Sequence, residues 1–137
     1  MRTTTRTIRA ALTAAAAGIA LLVAAGGAAA ESWKTPKFEG KTVNEGHAVL
    51  SNDGGQRTLS WSDDFKVPGS PDPHWQVVDS KGNVYLLKRV AIKDNKLNQT
   101  IEIPSYIPDV ARVQIWCAWA EVVLGEAAFS QPVLASR

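Results

Sequence analysis

The chain of 137 residues has one cysteine, Cys117, and one methionine, Met1. A single cysteine excludes a disulfide within the chain, so no covalent staple supports the fold. The thiol is left with four roles: a buried inert side chain, a redox-active group, a metal ligand or half of an intermolecular bridge. Histidine is almost as scarce, with only His47 and His74. A blue-copper centre needs two histidines, a thiolate and a weak axial ligand such as methionine. No histidine follows Cys117, and the lone methionine is the first residue. Copper, zinc and haem are therefore the weakest alternatives, haem lacking any attachment motif, and no cofactor or metal is expected. Also missing are a Gly-x-Ser-x-Gly elbow, a P-loop, a dinucleotide fingerprint and an EF-hand loop. A Cys-His nucleophile from Cys117 with His47 or His74 lacks papain-type context. A conventional enzyme is not expected.

A long apolar run occurs only near the start. Arg2, Arg6 and Arg9 precede an apolar stretch over residues 10–23, and Ala28-Ala29-Ala30 precedes Glu31. That order reads as a secretory signal peptide over residues 1–30, cleaved before Glu31. An uncleaved anchor is the alternative, since residues 10–30 approach spanning length. With cleavage, no integral membrane span is left and the protein is secreted or extracytoplasmic, periplasmic or at the cell surface. The charge reading then changes. The chain carries 15 Lys+Arg against 13 Asp+Glu, but three arginines and no acids lie in the leader. The remainder is 12 against 13, with no basic stripe for nucleic acid.

Beyond the leader, short strand-like segments alternate with Gly- and Pro-rich turns, and no segment has a clear helical period. Residues 31–37 read as a flexible arm, with Trp33 able to dock. Strands are expected over 47–51 and 58–61 around the Asn52-Asp53-Gly54-Gly55 turn. The run Pro68-Gly69-Ser70-Pro71-Asp72-Pro73 reads as a long ordered loop. Strands over 75–79 and 84–87 flank Ser80-Lys81-Gly82-Asn83, and 97–103 ends at Pro104. Residues 110–119 form the strongest strand, and 121–129 a last strand or two, kinked near Gly125. The fold class is all-β, a single antiparallel sandwich or small barrel. A helix over 118–128 is the rival, weakened by Val122, Val123 and Gly125. The domain is expected over 38–130, followed by a tail over 131–137.

Period-two alternation puts Val113, Ile115, Cys117 and Trp119 on one face of the strongest strand, and Gln114, Trp116 and Ala118 on the other. The wholly apolar Cys117 face is the core side, which favours a buried thiol with a raised pKa. Trp116, on the opposite face, is the best of the tryptophans for an aromatic platform that takes a glycan or a partner. His47 reads as a strand-edge hydrogen-bonding residue, His74 as solvent-facing and Asp72 as a turn former.

The segment Val113-Gln114-Ile115-Trp116-Cys117, followed by Gly125-Glu126-Ala127 and an apolar residue, resembles the C-terminal signature of the DM-thirteen domain. Phe38 and His47 resemble its opening, and Asp64-Phe65 with Pro71-Asp72 its central loop. Leu87-Lys88, then Ile103-Pro104 with Tyr106, complete the similarity over residues 38–129. The family is commonly labelled an electron-transfer module. The resemblance implies a β-rich fold with Cys117 as the redox residue. Trp116 and Trp119 would shape its surroundings, with His47 and Asp72 as further binding candidates. In longer members the domain sits beside haem-binding cytochrome-type domains. Here the central loop is less compact than the family's Gly-Pro-Asp, and the expected electron partner is another protein or a cell-surface component. The alternative from the residues alone is a non-enzymatic cell-surface or matrix binding module in which Cys117 is structural.

Overall fold

The computed structural model describes residues 29–90, 92–93, 96–97 and 100–135. The expected leader lies outside these residues except for positions 29 and 30. Ten strands follow in order: β1 (Glu31–Lys37), β2 (His47–Asp53), β3 (Gln56–Trp61), β4 (Pro73–Val78) and β5 (Val84–Arg89) come first. Then come β6 (Ile92–Lys93), β7 (Lys96–Leu97), β8 (Thr100–Glu102), β9 (Asp109–Cys117) and β10 (Val122–Leu134). They make two four-stranded antiparallel sheets, ordered β1-β2-β3-β8 and β10-β9-β4-β5, with β6 and β7 as a separate pair. The two sheets pack into an all-β sandwich. Among the described residues there is no helix, hence none long and apolar enough to cross a membrane.

Alternation builds the core. On β3, Leu59 and Trp61 are buried, and on β4 Trp75 and Val77 are fully buried. Trp61 and Trp75 come from different sheets and stack with ring centroids 4.4 Å apart at 20°. Phe38 and Phe65 tile around Trp75, with centroids 6.2 and 5.4 Å away. Four aromatic rings thus join the layers, each large ring burying on the order of 150–250 Å². Neither Trp61 nor Trp75 finds a partner for its indole N–H, a polar cost accepted within the stack.

Turn chemistry sets the registers. Gly54 and Gly55 both take positive φ, 58° and 95°, between the paired Asp53 and Gln56. That is a two-residue primed turn, whose twist matches the flanking strands. A bulge between Val123 and Gly125 kinks β10 at the expected place. There the 38–46 loop is tied on by reciprocal backbone bonds between Glu39 and Glu126, at 3.0 and 2.9 Å.

Several boundaries differ from expectation. Pro73, expected in the proline loop, opens β4 and pairs with Cys117. Of the strand expected over 97–103, residues 98–99 lie outside the described residues and Thr100–Glu102 form β8. Residues 31–37 are the edge strand β1, because Thr35 turns inward and its hydroxyl accepts from the Ala48 N–H at 2.9 Å. Residues 131–134, expected in a tail, extend β10, with Val133 buried and the Ala135 N–H bonded to Pro108 at 2.9 Å. Residues 118–121, expected as strand continuation or the start of a helix, are a turn joining β9 to β10. β-Branched Val122 and Val123 then return as strand.

Candidate functional site

Cys117 is the last residue of β9, paired with Pro73 of β4 and Val122 of β10. Its side chain is 1% exposed and belongs to the core cluster, as the alternation requires. Its surroundings are not wholly apolar. The Ala120 N–H donates to Sγ at 3.4 Å. The Ser70 hydroxyl, buried with no well-formed hydrogen-bond partner, lies close enough to be the largest influence on the thiol. Ser70 and the Ala120 amide, helped by the Asp72 and Trp119 amides, outweigh the burial that opposes them. They hold the thiol below its ordinary value. The expectation of a raised pKa is corrected for this reason: the polar groups around the sulfur favour the thiolate more than desolvation penalises it.

The proline loop packs directly on the cysteine strand. The Asp72 carbonyl accepts from the Ala118 N–H at 2.9 Å and contacts His74 Nδ1 at 3.1 Å. A carbonyl only accepts, so that contact fits the tautomer protonated at Nδ1. The Asp72 carboxylate pairs with Arg89 Nε at 3.0 Å, while the Arg89 guanidinium also donates to the Pro71 carbonyl at 2.8 Å. The Val90 N–H bonds the Pro73 carbonyl at 2.8 Å. Loop, β5 and the 118–121 turn are therefore knitted together at the end of the sandwich where the sulfur lies. Asp72 serves this joint through its carbonyl and through Arg89. His74, expected to face solvent, is half-buried in the same joint.

Of the other sequence candidates, Trp119 reaches the sulfur only through its backbone amide, and Trp116 and His47 are not among the groups acting on it. Trp116 is half-buried on the outer face of the second sheet, opposite His74 and Val123. Trp119, expected on the Cys117 face, is 78% exposed, because the strand ends two residues earlier. His47 is tied through its backbone: its N–H donates to Ser62 Oγ at 2.9 Å and its carbonyl accepts from the Ser62 N–H at 3.0 Å. The structure thus groups Cys117 with Asp72 and the turn carrying Trp119, and leaves His47 on β2. Among the described residues, no three His, Cys, Asp or Glu side chains converge to hold a metal ion.

Arg57 and Asp79 are among the buried polar groups with no counterpart in the sequence reading. Arg57 is 3% exposed, and its guanidinium donates to the carbonyls of Pro104 and Ile107 at 3.2 and 2.5 Å. It shares the inward phase of Leu59 and Trp61, the one signal that marks it. Asp79 accepts from the Lys81 and Asn83 amides, the Asn83 side chain and the Tyr85 hydroxyl, at 2.8 to 2.9 Å. Both organise loops rather than chemistry.

Compared with protein-family models, curated proteins and solved structures, the chain matches none.

Proposed function

We propose that this protein is an extracytoplasmic redox accessory module of the DM-thirteen type, with Cys117 as the reacting group. The observation that carries the reading is the sulfur's environment: Ser70 and the Ala120 amide favour the thiolate at a site otherwise walled by the core. The thiolate is the nucleophilic form. It attacks one sulfur of a partner's disulfide; a new S–S bond forms, the old one breaks, and the partner's other sulfur leaves as a thiolate. With no second cysteine in the chain, a thiol of another molecule must then release Cys117. At 1% exposure the sulfur reacts only when local opening exposes it. Oxidised glutathione tests this: the folded protein should gain one glutathione by intact mass, and Cys117→Ser none.

The second reading is a non-enzymatic cell-surface or matrix binding module with a structural thiol. The burial of Cys117 among Val113, Ile115 and Trp75 in one core cluster favours it. Glutathione that adds only after urea unfolds the chain leaves this reading alone.

A further inference from the structure

The outer face of the β10-β9-β4-β5 sheet is built unlike an ordinary solvated surface. Its side chains fall into three cross-strand rows fixed by register. Arg89, His74, Trp116 and Val123 make one row; Leu86, Gln76, Gln114 and Glu126 the next; Val84, Val78, Arg112 and Ala128 the third. Successive rows lie about 7 Å apart, two residues along each strand. At the centre, Gln76 and Gln114 are only 6% and 8% exposed although they point away from the core. The Gln76 side-chain amide donates to Gln114 Oε1 at 2.7 Å, and that of Gln114 donates to Glu126 Oε2 at 2.8 Å. Because an ionised carboxylate only accepts, Glu126 fixes the orientation of both amides.

The ladder is therefore rigid and partly dehydrated before any ligand arrives, which lowers the entropy cost of binding. It still offers acceptors at Gln76 Oε1 and Glu126 Oε1 and donors in the second N–H of each amide. Arg112 stands 3.9 Å from Glu126 and adds further donors. Beside this polar row lies the half-buried indole of Trp116. Trp119 stands exposed on the same β9–β10 hairpin, just beyond the Trp116–Val123 pair. From Arg112 and Glu126 the surface continues into an open groove of about 640 Å³, bordered also by Pro36, Lys37, Glu39 and Gly40.

The chemistry of the face selects its occupant. An apolar protein surface would cover the ladder and leave its remaining donors and acceptors unmatched. A polyanion would meet the Glu126 carboxylate at the centre. The central charges pair off, Arg112 with Glu126 and Arg89 with Asp72, so the face complements an uncharged ligand. What is left is a molecule with apolar ring faces for indoles and hydroxyls that both donate and accept. We infer that this face binds a neutral polysaccharide, one sugar ring stacking on Trp116 with its hydroxyls on the Gln76–Gln114–Glu126 ladder, and the chain passing Trp119. This inference deepens the binding reading and is independent of thiol chemistry.

Affinity electrophoresis of the purified protein through gels containing hydroxyethylcellulose, glucomannan or pullulan tests it, with carboxymethylcellulose as the charged counterpart. At least one neutral polymer should retard the protein. Trp116→Ala should weaken that retardation about tenfold or more, as for a central anchor residue. Trp119→Ala, a change at an exposed position, should weaken it severalfold without unfolding the chain. Cys117→Ser should leave it unchanged, which separates this outcome from any failure of the redox proposal. No retardation by any neutral polymer, retardation by carboxymethylcellulose alone, or equal retardation of the wild type and both tryptophan variants overturns the inference.

Discussion

The Ala120 amide donates to the Cys117 sulfur across the turn that closes the β9–β10 hairpin, at 3.4 Å. The same turn carries an exposed indole at Trp119 and a left-handed Glu121, φ 53°. The turn is held to the proline loop by the Ala118–Asp72 backbone bond. A thiol buried beside such a turn can be unreachable on average and still be chemically poised.

Ser70→Ala removes the largest influence favouring the thiolate, so the Cys117 pKa should move upward. A titration of thiolate ultraviolet absorbance in the folded protein checks this. The sign for stability follows. A thiol depressed in the folded state adds stability that is complete above the unfolded pKa and is lost as pH falls through the folded one. Ser70→Ala and Cys117→Ser should each reduce the stability gained on raising pH, measured by urea midpoints in alkaline buffers. A midpoint in Ser70→Ala equal to that of the native thiol removes the hydroxyl from the explanation.

Burial alone would raise the Asp79 carboxyl, but Asn83, Tyr85 and Lys81 together hold it below the ordinary carboxylate value. Its contribution is therefore present above the unfolded Asp pKa and disappears as pH falls through the depressed folded value. Acid titration of the urea midpoint should show this loss. In Asp79→Asn the acid dependence should be shallower, with a lower midpoint at neutral pH.

Trp75→Ala removes the ring that touches Trp61, Phe38 and Phe65, and should cost about 3–5 kcal/mol. Trp119→Ala should change stability by no more than about 0.5 kcal/mol, because its side chain is exposed. Chemical denaturation of the two variants side by side checks the contrast.

At Gly125 a Cβ would sit 2.5 Å from the Val43 carbonyl oxygen and 2.7 Å from Val43 Cβ. Gly125→Ala should therefore destabilise by about 1–3 kcal/mol, as overpacking does. The urea midpoint should fall while the slope is kept, since the bulge is local.

Period-two alternation was enough to place Val113, Ile115 and Cys117 on the core side, because their sheet has one buried face. The Gly54-Gly55 and Gly125 positions were legible for a related reason: each marks a backbone shape that other residues resist. The end of β9 was not. Apolar Ala118 and Trp119 continue the strand's pattern, and only the pairing of Val122 with Cys117 forces the chain to turn between them. β1 was missed because Trp33 and Thr35 are its only inward cues among charged residues; its pairing with β2 is a long-range fact. The thiol's direction of shift was misjudged because Ser70 is 47 positions away in sequence and reaches the sulfur only through the packed proline loop. Composition along one strand cannot report a donor delivered from another segment.

The most direct test is the rate at which iodoacetamide alkylates Cys117 in the folded protein, followed by intact mass across pH and compared with the rate of global unfolding. Alkylation should outpace unfolding and should rise at a lower pH than for an unperturbed cysteine, with Ser70→Ala shifting the profile upward. Alkylation no faster than unfolding at every pH would contradict the account and leave Cys117 as part of the core.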